Sequence, residues 1–214
     1  MAAIPAQMTA GLPADTLRLN AAVARVEPGR VVLDDGEEIF GKAVVVAADL
    51  PAAARILPEA FTANWRSRRM KGTRMVAFAA ERSPLDRPVL VVNAEGRGPV
   101  DNLTVPSDVV AGYAPPGATL VYASIRGDWQ QGDAETTEAV KWQAGEWFGK
   151  QPAAWRHLAT VPVPHALPDE TPAARRLRPP TPRLADGLFI CGDHCTTASI
   201  NGALASGRRC AEAM

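Results

Sequence analysis

The stretch Gly187-Leu188-Phe189-Ile190-Cys191-Gly192-Asp193, followed by Ser199-Ile200-Asn201-Gly202-Ala203-Leu204-Ala205-Ser206-Gly207, constrains this chain more than any other part. It reads as a buried strand ending in Gly-Asp, a short loop, and a helix that opens with small residues. A strand that runs into a helix N-terminus leaves backbone N–H groups unpaired at the positive end of the helix dipole. α/β folds hold anionic groups there. Asp193, at the carboxyl end of the strand, can accept hydrogen bonds from sugar-like hydroxyls. The same small residues would also serve an ordinary tight contact of helix on sheet.

A dinucleotide-binding fold usually adds a strand, a G-x-G-x-x-G turn and a helix that grips the pyrophosphate. This sequence has no such motif. The nearest approach is Gly96-Arg97-Gly98, with Asp101 where the third glycine would stand.

The 214 residues can bury a real core in one or two domains. The formal charge of zero gives no electrostatic case for nucleic acid. Arginine supplies 19 of the 23 basic residues, which we read as composition bias beside abundant Ala, Gly and Pro. No run of 18 apolar residues marks a membrane span, and the first residues lack the charged and apolar regions of a signal peptide. Three cysteines, Cys191, Cys195 and Cys210, argue against a disulfide scaffold and for a reducing, cytoplasmic setting. With His194 they have the wrong spacing for a zinc finger, and Cys191 lies in an apolar strand, so no metal site is expected.

Residues 2–12 have helical spacing. Leu17–Asn20 and Val23–Val26 read as short strands, and Val31–Leu33 runs to a hairpin-type turn at Asp35-Gly36 before a return strand at Ile39-Phe40. The run Ala43-Val44-Val45-Val46-Ala47 predicts a parallel strand buried on both faces, and Ala52–Leu57 a short helix. Thr73–Ala80, Val89–Val92, Asp101–Pro106 and Thr119–Ile125 predict an antiparallel sheet. Thr136–Lys150 predicts an amphipathic helix with Ala139, Trp142, Trp147 and Phe148 as its apolar residues, and Pro162–Pro182 an extended crossing segment. The expected fold class is α/β, α+β overall. An incomplete Rossmann-like portion, residues 1–57 and 181–214, is interrupted by a mixed or antiparallel-sheet domain, residues 58–180.

The 187–207 segment resembles the C-terminal cofactor signature of the flavin-containing amine oxidase superfamily, which also holds phytoene-desaturase-like and protoporphyrinogen-oxidase-like proteins. The likeness extends over nearly the whole chain, but only as the C-terminal portion of such a protein. It implies FAD as cofactor. Asp193 corresponds to the acidic residue that bonds the ribityl chain, after Gly192. Ser199, Ile200, Asn201, Gly202 and Ala203 correspond to the helix N-terminus near the flavin ring. Val23 falls where a strand backbone reaches adenine. Ala47 and Ala48 match the end of the family's "dG... V-V-x-A" segment beside the nucleotide half. Ser107-Asp108-Val109, Tyr113-Ala114-Pro115-Pro116-Gly117, Trp155 and His165-Ala166-Leu167-Pro168 resemble a bacterial, phytoene-desaturase-like branch.

The resemblance implies hydride transfer from a C–H bond of a small organic substrate to flavin. It assigns no catalytic residue. Many amine oxidases hold a lysine on a middle-domain strand, and here Thr73 stands at that position, with Lys71 two residues away. Cys195, Thr196 and Thr197 occupy the loop where the family's aromatic cage would lie. Without a pyrophosphate loop, weak or absent FAD binding is expected of this chain alone. The alternative is a non-catalytic portion that needs a separate nucleotide-binding half or self-association.

Overall fold

The computed structural model describes residues 3–65, 68–85 and 87–214. They form two compact units, residues 1–69 with 168–214, and residues 70–167. The sequence reading divides the chain at 57/58 and 180/181 instead. The difference arises because buried Trp65 and Arg68 pack with the C-terminal loop of the first unit.

The first unit begins with α1 (Ala3–Ala10), which buries none of its residues. Leu17–Asn20 is not a strand: Leu17 and Leu19 are exposed, and Asn20 takes a left-handed φ of 58°. β1 (Val23–Glu27), β2 (Arg30–Leu33) and β3 (Glu38–Phe40) form an antiparallel meander. Gly29 and Gly36, at φ 72° and 88°, supply the left-handed turn residues. β4 (Val44–Val46) leads to α2 (Leu50–Ile56), capped by the Asp49 carboxylate on the Ala52 N–H at 2.8 Å, and then α3 (Glu59–Thr62).

The second unit is an antiparallel sheet backed by a helix. β5 (Met70–Ala80), β6 (Val91–Val92), β7 (Val100–Thr104), α4 (Pro106–Val109), β8 (Thr119–Ile125), α5 (Asp133–Phe148) and β9 (Arg156–Pro168) follow in chain order. The strands lie in the order β6-β7-β8-β5-β9. The alternation expected of a half-buried sheet is plain in β8, where Thr119, Val121, Ala123 and Ile125 point inward. Val121, Ala123 and Ile125 meet Val76, Phe78, Val100, Leu103, Val140, Ala144 and Trp155 in one core. Of the aromatic residues the sequence singles out on α5, Trp147 and Phe148 pack against the core and Trp142 does not. Thr136, Val140, Gln143 and Ala144 are buried, and Trp142 is 65% exposed. Thr136 and Thr137 donate their hydroxyls to the carbonyls of Gly132 and Asp133 at 2.7 and 2.8 Å, and Gln143 accepts from Val100 N–H at 2.9 Å. With its polar atoms bonded, this face can be buried. The proline-rich segment is extended only as far as Pro168, within β9.

The chain then returns to the first unit through α6 (Pro172–Arg175), β10 (Arg183–Ala185), β11 (Leu188–Ile190) and α7 (Ile200–Glu212). β11 is fully buried and pairs parallel with β4 in the register Leu188↔Val44, Phe189↔Val45, Ile190↔Val46. The sheet order is β10-β11-β4. β4 is therefore an edge strand, and Val45 is 39% exposed. The expectation of burial on both faces is not met: Val46 is buried, but Val45, on the opposite face, is exposed.

Candidate functional site

Two parallel strands end side by side in the first unit. The Cys191 N–H donates to the Val46 carbonyl at 3.0 Å, which extends the pairing of β11 with β4 by one bond. Ala47 and Ala48 follow one strand, and Gly192 and Asp193 the other. Four residues singled out in the sequence are thus brought to one end of one sheet, the carboxyl end, where open α/β sheets place ligands. Val23 is half-buried on β1, in the other three-stranded sheet of this unit.

Gly192 has φ 150°, and a Cβ there would come within 2.5 Å of the His194 ring. Only glycine makes this turn without strain. The turn is held from both sides: Gly192 N–H donates to Ser206 Oγ on α7 at 3.1 Å, and Arg68 Nη2 donates to the His194 carbonyl at 3.0 Å. The Asp193 side chain keeps 28% of its surface in contact with solvent. Burial pushes its carboxyl pKa up, while the N–H groups of His194 and Asp193 itself pull the other way.

α7 opens with Ser199 as N-cap, whose hydroxyl accepts from Gly202 N–H at 3.0 Å and whose carbonyl accepts from Ala203 N–H at 2.9 Å. Two of the predicted donors are therefore spent within the cap. Among the described residues, no partner meets the N–H groups of Ile200 and Asn201, and both residues are exposed. Gly202 is buried for a different reason from the one its place in a small-residue face suggests. Thr197 folds its backbone and hydroxyl over it, and Thr196 Oγ1 donates to the Gly202 carbonyl at 2.8 Å.

Behind Asp193 lies a buried polar cluster that the sequence reading missed. His194 is fully buried, neither ring nitrogen has a hydrogen-bond partner although Nδ1 lies 3.8 Å from the Asp193 carboxylate, and burial with the nearby Arg68 charge holds its pKa down to about 4. Arg68 leaves Nε and Nη1 unpartnered, and Trp65 meets the His194 ring edge-on at 6.4 Å between centroids. Arg178 pairs with Glu170 nearby. Arg68 and His194 stand 126 positions apart, and no local pattern links them. Burial raises the Cys191 and Cys195 thiols to about 11 and about 12, so both are protonated near neutral pH.

The family profile described as flavin containing amine oxidoreductase matches residues 1–214. The chain belongs to that family. A search of curated proteins returns no match. Among solved structures, the chain resembles a putative protoporphyrinogen oxidase from Exiguobacterium sp., with TM-score 0.74, 18% identity, and 99% of this chain covering 50% of that one. It is also similar to putrescine oxidase bound to putrescine, with TM-score 0.72, 11% identity, and 100% of this chain covering 52% of the other. Cyclohexylamine oxidase from Brevibacterium oxydans gives TM-score 0.70, 14% identity, and 99% covering 51%. At these identities the likeness shows the fold, a mixed α/β arrangement of several sheets. The chain spans about half the length of these structures. Among the described residues, no helix is long and apolar enough to cross a membrane.

The donors present fit part of an FAD. An acceptor carboxylate follows a glycine turn, and two unpaired amides open the next helix. Nothing equivalent to a pyrophosphate loop occurs in the sequence.

Proposed function

We propose that this chain supplies the C-terminal portion of an FAD-dependent oxidoreductase site, in which a hydride leaves a C–H bond of a small organic substrate. The flavin, when bound, supplies the two-electron acceptor. Asp193 would accept from the ribityl hydroxyls. The free N–H groups of Ile200 and Asn201 would face the ring carbonyl that gathers negative charge on reduction, a stabilisation that needs no reorganisation because the helix fixes the donors. Gly202 and Ser199 shape the cap that keeps those two amides free, and Ala203 continues the helix behind them. Ala47 and Ala48 would allow the nucleotide half to approach the end of β4, and Val23 would offer backbone to adenine. The second unit would carry the substrate. Thr73 in place of a lysine favours desaturase-like over amine-oxidising chemistry.

The observation that carries this reading is the pair of unpaired amides that open α7, the helix that follows the Gly192-Asp193 turn, in a chain of this family. The pyrophosphate grip must come from a separate nucleotide-binding half or from association. The edge position of β4 supports either, and the three free cysteines fit a reducing, cytoplasmic setting.

Titration of the chain with FAD and with riboflavin, followed by flavin fluorescence, tests the reading. Both should bind weakly and alike, because no residue of this chain grips the pyrophosphate. Asp193→Ala should weaken both by about tenfold or more, the worth of a charge-assisted hydrogen bond. FAD retained through gel filtration by both wild type and Asp193→Ala would overturn it.

A further inference from the structure

Glu138, Lys141, Trp142, Gly145, Glu146 and Gly149 recur at the three- and four-residue steps that gather one stripe of a helix. They line a shallow cleft of about 450 Å³ on α5 and its C-cap, and none is among the residues that α5 buries. Two features of this stripe have no reason within one chain. Trp142 is 65% exposed, whereas Trp147 and Phe148 of the same helix pack against the core. Gly145 stands in the helix interior, where only proline is less favourable than glycine. A Cβ at Gly145 would meet nothing within 4 Å, and its φ is not left-handed, so neither packing nor backbone requires a glycine there. Gly149 is different, since its φ of 73° ends the helix.

The stripe maps onto itself when the helix is reversed. About a point between residues 143 and 144, Trp142 exchanges with Gly145, Lys141 with Glu146, and Glu138 with Gly149. Two copies of α5 packed antiparallel about a two-fold axis at that point would lay each Trp142 ring over the partner's Gly145, where no side chain keeps the ring from the backbone. The same register sets each Lys141 against the partner's Glu146. Lys150 follows Gly149, is exposed, and comes opposite the partner's Glu138. Each cation of the face then meets an anion. Lys141 already holds Glu138 of its own chain at 3.3 Å, so the charges alternate across the contact. A parallel arrangement would instead set Lys141 against Lys141 and Glu146 against Glu146.

We propose that this face of α5 binds a second copy of the chain, helix against helix and antiparallel. The contact is isologous, each patch serving both sides, so it closes at a dimer. It buries the exposed indole, the kind of rigid aromatic anchor on which interfaces depend. One helix from each copy is a small contact beside the roughly 1,200–2,000 Å² of a standard stable interface, so dimer and monomer should exchange with concentration. The contact uses neither β4 nor any flavin-facing residue.

The test is sedimentation equilibrium of the full chain and of four variants over a series of micromolar concentrations. The wild type should show a monomer–dimer equilibrium, and Val45→Lys, which alters only the β4 edge, should keep it. Lys141→Glu alone and Glu146→Lys alone each set like charges together, and should raise the dimer dissociation constant by about tenfold or more. The double variant Lys141→Glu/Glu146→Lys restores opposite charges and should return the constant to the wild-type range. These side chains lie outside the core, and circular dichroism verifies that the variants fold. A wild type that is monomeric at every concentration, a dimer that survives both single reversals, or a double variant no better than the singles would overturn the proposal. A dimer lost in Val45→Lys would place the contact at β4 and overturn it as well.

Discussion

Replacing Gly202 by alanine sets two effects of opposite sign against each other. In an exposed helix interior, Gly→Ala stabilises by up to about 1 kcal/mol, because alanine loses less backbone entropy. At Gly202, however, the new Cβ would penetrate the Thr197 carbonyl oxygen. It would also lie 2.6 Å from Thr197 Oγ1 and 2.9 Å from Thr196 Oγ1. The closest obstacle is backbone, not a flexible side-chain tip, so the 196–197 loop must move. Forcing an extra methyl into a packed site costs about 1–3 kcal/mol. Displacing Thr196 also endangers its hydrogen bond to the Gly202 carbonyl, worth about 1 kcal/mol. The sum favours a net loss of about 1–3 kcal/mol. Gly207 on the same helix is the control, since a Cβ there meets nothing within 4 Å. Gly207→Ala should therefore stabilise by up to about 1 kcal/mol. Urea midpoints at constant m-value read both changes. If Gly202→Ala stabilises as much as Gly207→Ala, the loop does not cover the helix start, and the account of why only the Ile200 and Asn201 amides stay free is wrong.

His194, with its pKa depressed from 6.5 to about 4, contributes stability that is complete above pH 6.5 and is lost as pH falls towards 4, because the unfolded chain binds the proton more readily. His194→Phe should flatten the fall in urea midpoint between pH 6.5 and pH 4; an unchanged slope would assign the acid sensitivity to other groups. Arg68→Met removes one hydrogen bond but also a buried cation with two unsatisfied donors, so its stability should stay within about 1–2 kcal/mol of wild type. A loss above about 3 kcal/mol in a urea melt would show partners that the geometry does not contain. Val45→Lys, on the β4 edge, should lower the apparent mass in light scattering if the chain self-associates there, and an associated chain of unchanged mass would place the contact elsewhere. Hydrogen exchange should be slow over Thr119–Ile125, in the middle of the five-stranded sheet, and faster over Val44–Val46; equal protection would show that β4 is covered.

The strand, Gly-Asp turn and helix at the C-terminus were legible because each carries a local signature: an apolar run, a glycine that must adopt φ 150°, and a serine cap. Four of the five antiparallel strands were legible from the sequence, and β8 spans Thr119–Ile125 as the pattern predicts, whereas β9 (Arg156–Pro168) was read only in part, as an extended segment from Pro162. The reading of α5 held for Trp147 and Phe148, which pack against the core, and missed for exposed Trp142. Thr136, Thr137 and Gln143 are also buried there, with their polar atoms bonded to backbone, and hydropathy alone cannot see such bonds. Leu17–Asn20 failed for a related reason: alternation over four residues does not outweigh a left-handed Asn20. The polar cluster of Arg68 and His194 could not be read at all, since only the folded chain brings these residues together. The same is true of the β-bulge at Asp101, between Val100 and Asn102 of β7, which breaks the very alternation used to assign faces.

The two outer strands most relevant to association are treated differently by the sequence. β9 borders the five-stranded sheet, and its Pro162, Pro164 and Pro168 lack N–H donors at alternate positions, a composition that sheets accept only at an edge. Such a strand is a poor template for a further one. β4 borders its sheet with Val44-Val45-Val46, which carries no proline and no charge. Its outer N–H and C=O groups remain competent to pair, and its side chains suit burial on both faces even though Val45 is exposed. The residue types of β4 suit a strand inside a sheet, whereas β4 lies at an edge. The valines fit a strand with neighbours on both sides, but the described residues supply a neighbour on one side only. That mismatch between residue type and environment lies in the strand that Ala47 and Ala48 follow, beside the one that leads to Gly192 and Asp193. A nucleotide-binding element that paired with β4 would bury Val45 and extend the same carboxyl edge towards the ligand in a single step.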